Sequence, residues 1–413
     1  MVDQQLPQIA VRSNRIQTIV NCGIPDKVPF IPTINNFYAI GYGITIQDAM
    51  TDNKCLIPAL DQYLKQYYPD LVYAPTFFPI KPMEFAQYTN ARWPGAYHNL
   101  PENTPYQYLD KEFLGDDEYD EYLKDPTAFL MKKMLSKRYK AFAGLEFLSI
   151  PAICGQAIYT LAPLAMPPVR MALENMIKTG ELVMESLQDL ATVTLHIINK
   201  GFPIFGGAVA SNPFDDFADN IRGLLATTTD LLTEPELVKE AVDRWAEVSI
   251  PAAIANAKMQ HSTSLFIPLH CGMDNFMSPA NYDKYYWPPL KKLILSCVEA
   301  DITPIIVCEG KYDTRFETLS DVPKGKVMYM FEDVDLKRAK EILGGIACIG
   351  GGMETQLLMK GSSKEKVEDA VKRTLELCAP GGGFFLTNTL ALDNVEHEYL
   401  QTCVETLDKY GVY

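Results

Sequence analysis

Within the string LFIPLHCGMDNF, His270 ends a run of strand-forming residues and stands four residues before Asp274. An imidazole there can carry a proton near neutral pH or ligate a metal, and Asp274 is expected to orient it through the second ring nitrogen. Glu309 closes another run, PIIVC, that is almost wholly apolar. A carboxylate in such a place is partly desolvated, which raises its pKa and suits it to donate a proton or bind a metal. The plainer alternative is an ion pair with Lys311 or Arg315. Tyr312 and Arg315, just beyond, are placed to contact an aromatic or acidic ligand. His98, His196, His261 and His397 fall in loops or on helices and carry no such expectation.

These groups need a frame that gathers strand ends. Eight short β-rich runs alternate with amphipathic helical stretches, which predicts parallel strands with helical crossovers. The runs are 28–35, 70–78, 202–209, 264–271, 303–310, 326–333, 346–352 and 383–389. Eight such units close most naturally into a (β/α)8 TIM barrel, with a doubly wound open sheet as the alternative. Barrel chemistry sits at the carboxyl ends of the strands. That rule adds Asn35 and Asn36, Ser211 and Asn212, Cys308, Glu332 and Asp333, Glu354, and Asn388. Helix starts are expected at Ser278, Asp333, and Ser362 or Ser363, and left-handed helix stops at Gly344 and Gly381. The stretch 84–150, rich in Tyr, Asp, Glu and Pro, breaks the rhythm. Within one unit spanning 1–413, it reads as an insertion between early strands, either a lid or substrate wall over the mouth or a peripheral decoration. The apolar stretch 147–177, broken by prolines, is expected to be buried or to wall a pocket.

Composition narrows the function. The 413 residues carry a formal charge of −15, which argues against nucleic-acid binding, because phosphate neutralisation needs clustered Lys and Arg in excess. Nine cysteines without CxxC spacing fit reduced thiols in a cytoplasm. No signal-peptide core and no run long enough for a membrane span is visible. The glycines of GGIACIGGGMETQ form neither GxGxxG nor GxxxxGK[ST].

The strings PLHCGMDNFMSPANYDKYYWPPLKKLI, PIIVCEGKYDTRFE, VPKGKVMYMFEDVDLKRAKEILGGIACIGG and APGGGFFLTN, with GGAVASNPFDDFADNIRGLLATTTDLLTEPELV upstream, resemble the uroporphyrinogen decarboxylase superfamily in order and spacing. The resemblance implies a TIM barrel and one of three activities: tetrapyrrole decarboxylation, methyl transfer to coenzyme M, or corrinoid-dependent demethylation. The coenzyme M enzymes end their fifth strand in a His-x-Cys-Gly zinc signature and add a Cys in the eighth. Here those places read Val307, Cys308, Glu309, Gly310 and Thr387, Asn388, Thr389. The decarboxylases use an Arg-rich amino-terminal segment and an Asp near the first strands. Here Asn35, Asn36, Phe37 and Tyr38 follow strand one and suit a neutral aromatic ligand better.

What remains is similar to the subgroup associated with corrinoid-dependent O-demethylation. It implies a methoxylated aromatic substrate and a corrinoid (cobalamin) on a partner protein, whose Co(I) takes the methyl group. His270 and Glu309 would then protonate the ether oxygen or hold a Zn²⁺ that polarises it. Asp274 would orient His270, while Asn35, Asn36, Phe37, Tyr38, Asn212, Tyr312, Arg315, Glu354 and Asn388 would line the substrate. A homodimer is a further expectation. Two rivals stay open: a decarboxylase-like or lyase activity on another small acid, and a non-catalytic ligand-binding relative.

Overall fold

The structure is a computed structural model that describes residues 6–205, 207–388 and 392–413. All eight expected runs contribute to one ring of parallel backbone. Thr389, at the end of the last run, lies outside the described residues. The first stave is the extended segment around Phe30, which bridges in parallel to Leu386 of the eighth, Phe384–Thr387. The Ile31 N–H donates to the Leu386 carbonyl at 3.0 Å and the Asp70 N–H to the Phe30 carbonyl at 2.8 Å. This ties the first stave to the second, Val72–Tyr73, which pairs with Ile204–Phe205 of the third. The third continues through Ala208–Val209 onto the fourth, Ser264–Leu269. Thr303–Cys308, Met328–Phe331, Cys348–Gly352 and Phe384–Thr387 follow in order. The circuit closes, so the fold is a (β/α)8 barrel and not an open sheet.

The ladders differ in length. The fourth and fifth staves share six residue pairs, whereas the second and third share two.

Strand residues alternate between two apolar clusters, as the two-residue period of a strand requires. Ile31, Phe205, Ile305, Val307, Met328, Met330, Cys348 and Phe385 fill the inside of the ring, with Phe266 against them. Ile306, Cys308, Tyr329, Phe331 and Ile349 face the surrounding helices. A Cβ on Gly350 would stand 2.2 Å from the Phe385 ring, so only glycine admits that ring. The helix Leu6–Val20 adds Ile16, Ile19 and Val20 to the inner cluster. Arg12 at its centre donates to the carbonyls of Pro69 and Gly201, at the starts of the second and third staves.

The helix caps follow their chemistry. Ser278 and Ser363 accept first-turn N–H groups as expected. Asp335 replaces Asp333 as the cap of Leu336–Leu343, because its carboxylate reaches the Lys337 and Arg338 amides. Gly345 and Gly381 are left-handed, whereas Gly344 is not.

The insertion 84–150 packs on the crossover after the third stave. The Phe113 and Leu114 amides donate to the Ile221 carbonyl, and buried Arg222 holds the Leu114 carbonyl and Asp230. The stretch 147–177 is only partly buried, and its second expected role holds: Phe147, Pro168, Met171, Ala172 and Asn175 wall a cavity. Leu148, Val169 and Ala172 are buried, whereas Ile158 and Tyr159, on the short turn Ile158–Ala165, stand in solvent, as do Met171 and Ile177, because the long helix Pro167–Asn199 turns only one face inward. No helix among the described residues is long and apolar enough to cross a membrane.

Candidate active site

His270 and Glu309 extend the inward-facing series Phe266, Pro268, His270 and Ile305, Val307, Glu309 by one step past the ladder. Adjacent staves in register (Leu269 opposite Cys308) therefore bring both side chains to one place. His270 Nδ1 lies 3.0 Å from Glu309 Oε2. Asp219 Oδ2 stands 3.8 Å from Nε2 on the other side of the ring, beyond hydrogen-bond reach. The imidazole keeps 41% of its side chain open. One nitrogen is thus fixed by a carboxylate, and the other has no hydrogen-bond partner among the described residues.

Asp219 comes from the crossover after the third stave. There Asn212 accepts the Phe214 N–H and starts the helix Pro213–Phe217, which widens into a π turn over Ala218–Arg222. Such a turn re-aims side chains and recurs at functional sites. Asp215, one helical turn earlier, is fully buried. It accepts the Cys271 N–H at 2.8 Å, the His270 N–H at 3.2 Å and the Tyr286 hydroxyl at 2.6 Å, clamping the turn that carries His270. A Cβ on Gly272 would meet the Tyr286 ring at 2.5 Å, so glycine there lets the clamp close.

The electrostatics follow from this crowding. Burial works against an imidazolium, but the Glu309 hydrogen bond and the Asp215, Glu309 and Asp219 charges outweigh it and hold His270 at about 9. Burial, reinforced by the Asp215 charge, pushes Asp219 up to about 7, with His270 opposing. Burial also raises Glu332, against the pull of the Gly310 N–H. These shifts favour a protonated ring beside a carboxyl that gives up its proton late.

The other expected residues separate. Asn35 continues the inward series of the first stave, and its buried Oδ1 has no partner among the described residues. Asn36 donates to Asp393 at 3.0 Å. Asp274 does not orient His270. Its carboxylate accepts the Thr314 hydroxyl at 2.7 Å and amide at 3.1 Å and pairs with Arg315 at 3.3 Å, because the turn after Gly272 carries it toward the loop beyond the fifth stave. Arg315 is buried there, donating to the Gly272 and Met277 carbonyls. Neither Lys311 nor Arg315 pairs with Glu309, since Lys311 reaches Asp333.

Phe37, Tyr38 and Tyr312 are packed in the core and not presented to a ligand. Asn212 is a buried cap. Asn388 points out of the barrel interior, joining the eighth stave to the first through the Thr33 carbonyl at 2.8 Å and amide at 3.1 Å. Glu354 is exposed before the short turn Thr355–Leu358. As for metal, His270 and Glu309 are a two-donor set. No group of three or more His, Cys, Asp or Glu side chains among the described residues is arranged to hold an ion, so the pair does not fit a resident Zn²⁺ with three protein ligands.

Asp215 and Asp219 escaped the strand-end rule because they sit on a helix. Their spacing of four, directly after the third β-rich run, is the signal that marks them, since i and i+4 share a helix face.

Comparison with known proteins agrees with the fold. Residues 162–391 match the family described as Uroporphyrinogen decarboxylase (URO-D). The solved structure of a methyltransferase from Methanosarcina mazei superposes with a TM-score of 0.61, covering 97% of this chain and 98% of that one at 14% identity. That likeness is one of fold. No curated protein matches the chain in sequence.

Proposed function

The chain belongs to the uroporphyrinogen decarboxylase family, and from that premise we propose that it is a cytoplasmic methyltransferase that demethylates a methoxylated aromatic compound. The acceptor is Co(I) of a corrinoid carried by a partner protein, which supplies the nucleophile. The carrying observation is an imidazole whose Nδ1 is fixed by Glu309 at 3.0 Å while its Nε2 is left without a hydrogen-bond partner among the described residues, and the surrounding carboxylates favour its protonated form. An aryl ether is a poor electrophile because a phenolate must leave. In this reading the methyl carbon–oxygen bond breaks, both its electrons stay on oxygen, and His270 Nε2 delivers the proton that makes the leaving group a phenol. Glu309 stabilises the charged ring before transfer and fixes its orientation. Asp219, 3.8 Å from Nε2, adds its charge to the pull that keeps the ring protonated, and Asn35 offers its free amide oxygen to the substrate. In this reading the stretch 84–150 serves as a wall of the mouth, a role supported by the Tyr108 hydroxyl donating to the Asp219 backbone carbonyl. The methyltransferase fold of the archaeal structure over nearly its whole length supports the choice of activity.

The test is methyl transfer from methoxylated aromatics to a reduced corrinoid protein. His270→Ala and Glu309→Gln are expected to lose on the order of 10²–10⁴-fold in rate, the usual worth of a positioned acid, with unchanged circular dichroism. A variant that demethylates at the wild-type rate removes its residue from the mechanism.

A further inference from the structure

Apart from His270, the rim of the barrel offers a ligand acceptors and almost no positive charge. Glu332 continues the inward series Met328 and Met330 one step past the sixth stave and accepts the Gly310 N–H at 2.5 Å. Its carboxyl therefore faces the same bore as Glu309, with Asp219 on the crossover and Asp215 behind the turn that carries His270. Among the described residues no Lys or Arg pairs with any of these four, and the ion pairs they make are those of Asp219 and Glu309 with His270. Cations of the surrounding loops are engaged elsewhere. Lys311 reaches Asp333, buried Arg315 holds Asp274 and two backbone carbonyls, and Arg138 of the insertion lies over the Phe113 ring and donates to the Asn220 carbonyl.

On the first-stave side the unmet groups are again acceptors. Asn35 Oδ1 and Asp393 Oδ1 are buried without a hydrogen-bond partner, and Asp393 is tied to that stave by Asn36 and by the bridge from Leu392 to Ile34. A buried acceptor left unpaired costs free energy, so it selects for a ligand that brings a donor. A carboxylate brings only acceptors. Aromatic faces are also at hand. Phe78, past the second stave, packs 4.5 Å from Tyr106 of the insertion, and Phe78 and Tyr108 both stay exposed.

We propose that the methyl donor is a methoxyarene carrying an uncharged hydrogen-bond donor, such as a hydroxyl, and that a carboxylate on the ring is rejected. This rests on the demethylase reading above and narrows its substrate. The ether oxygen accepts from His270 Nε2, and the hydroxyl donates to Asn35 Oδ1 across the mouth. A ring carboxylate would lose its water beside Glu309, Glu332 and Asp219. It would gain no cation, because the one imidazole is already held by Glu309 and is needed at the ether oxygen. An uncompensated charge of that kind is how a site excludes a wrong ligand.

Methyl transfer to a reduced corrinoid protein from para-methoxybenzyl alcohol, para-methoxybenzoate and para-methylanisole tests this, since the three share one ring and one ether. The alcohol is expected to exceed the benzoate by about 10²-fold in kcat/KM, the effect of one like charge several ångström away at an effective dielectric of about 20. It is expected to exceed para-methylanisole, which brings no donor, by about tenfold. Asp219→Asn and Glu332→Gln should each shrink the alcohol-to-benzoate ratio several-fold. Dividing one substrate by the other cancels any loss at His270 that both suffer, and a merely structural role would leave the ratio unmoved. Asn35→Leu should abolish the preference for the alcohol over para-methylanisole. A benzoate used as well as the alcohol, or a ratio that neither carboxylate variant moves, overturns the proposal and leaves the demethylase reading intact. Transfer from none of the three overturns the demethylase reading and the proposal with it.

Discussion

A single imidazole between two carboxylates sets the pH behaviour. Because His270 is raised, its protonated form persists until about 9. We expect kcat/KM for methyl transfer to fall as pH rises through that value. In Glu309→Gln the falling limb moves down toward the ordinary histidine range near 6.5, and an unmoved limb assigns it to another group. Asp219 titrates in the same sense for stability, at a lower pH. A carboxyl raised to about 7 favours the folded state while neutral, an advantage lost as pH rises through that value. Thermal midpoints of Asp219→Asn and wild type should therefore diverge between pH 5 and pH 8, the variant gaining. A difference that stays constant would show Asp219 already ionised at pH 5. His270 and Glu309 were legible because strand alternation dictates where a residue just past an apolar run must point. Asp274 was misread because nearness in sequence says little once a turn intervenes.

At the scale of elements, Asp215 takes over the positioning role that spacing suggested for Asp274. Asp215 clamps the turn beyond the fourth stave through three hydrogen bonds. Removing it strands buried donors that each cost about 1–3 kcal/mol. Asp215→Ala should lower the urea midpoint clearly and impair kcat by freeing His270. Asp274→Ala loosens only the loop carrying Thr314 and is expected to keep kcat within a few-fold. Should it instead match His270→Ala in kinetics, the orienting role returns to Asp274. The strands and two of the helix caps could be read directly, since alternation, serine caps and glycine stops are local signals. The π turn that aims Asp219 could not, because its widening depends on what the helix packs against.

Across the whole molecule, closure of the ring was foreseeable from the count of β-rich runs, whereas the outward apolar face of the long helix was not. Sequence hydropathy records how apolar a segment is and not what lies beside it. The ring itself is unevenly built, with six paired residues between the fourth and fifth staves and two between the second and third. Amide hydrogen exchange should be slowest at Ile305–Val307 and fastest at Val72 and Ile204, and equal protection would contradict this ranking. The long ladder is also the one that aligns the proton donor with its carboxylate. Gentle heating would then spring the barrel at its early seam first, like a cask losing its hoops on one side. Catalytic competence would outlast the first loosening of the wall and return on cooling without the donor pair having to find itself again.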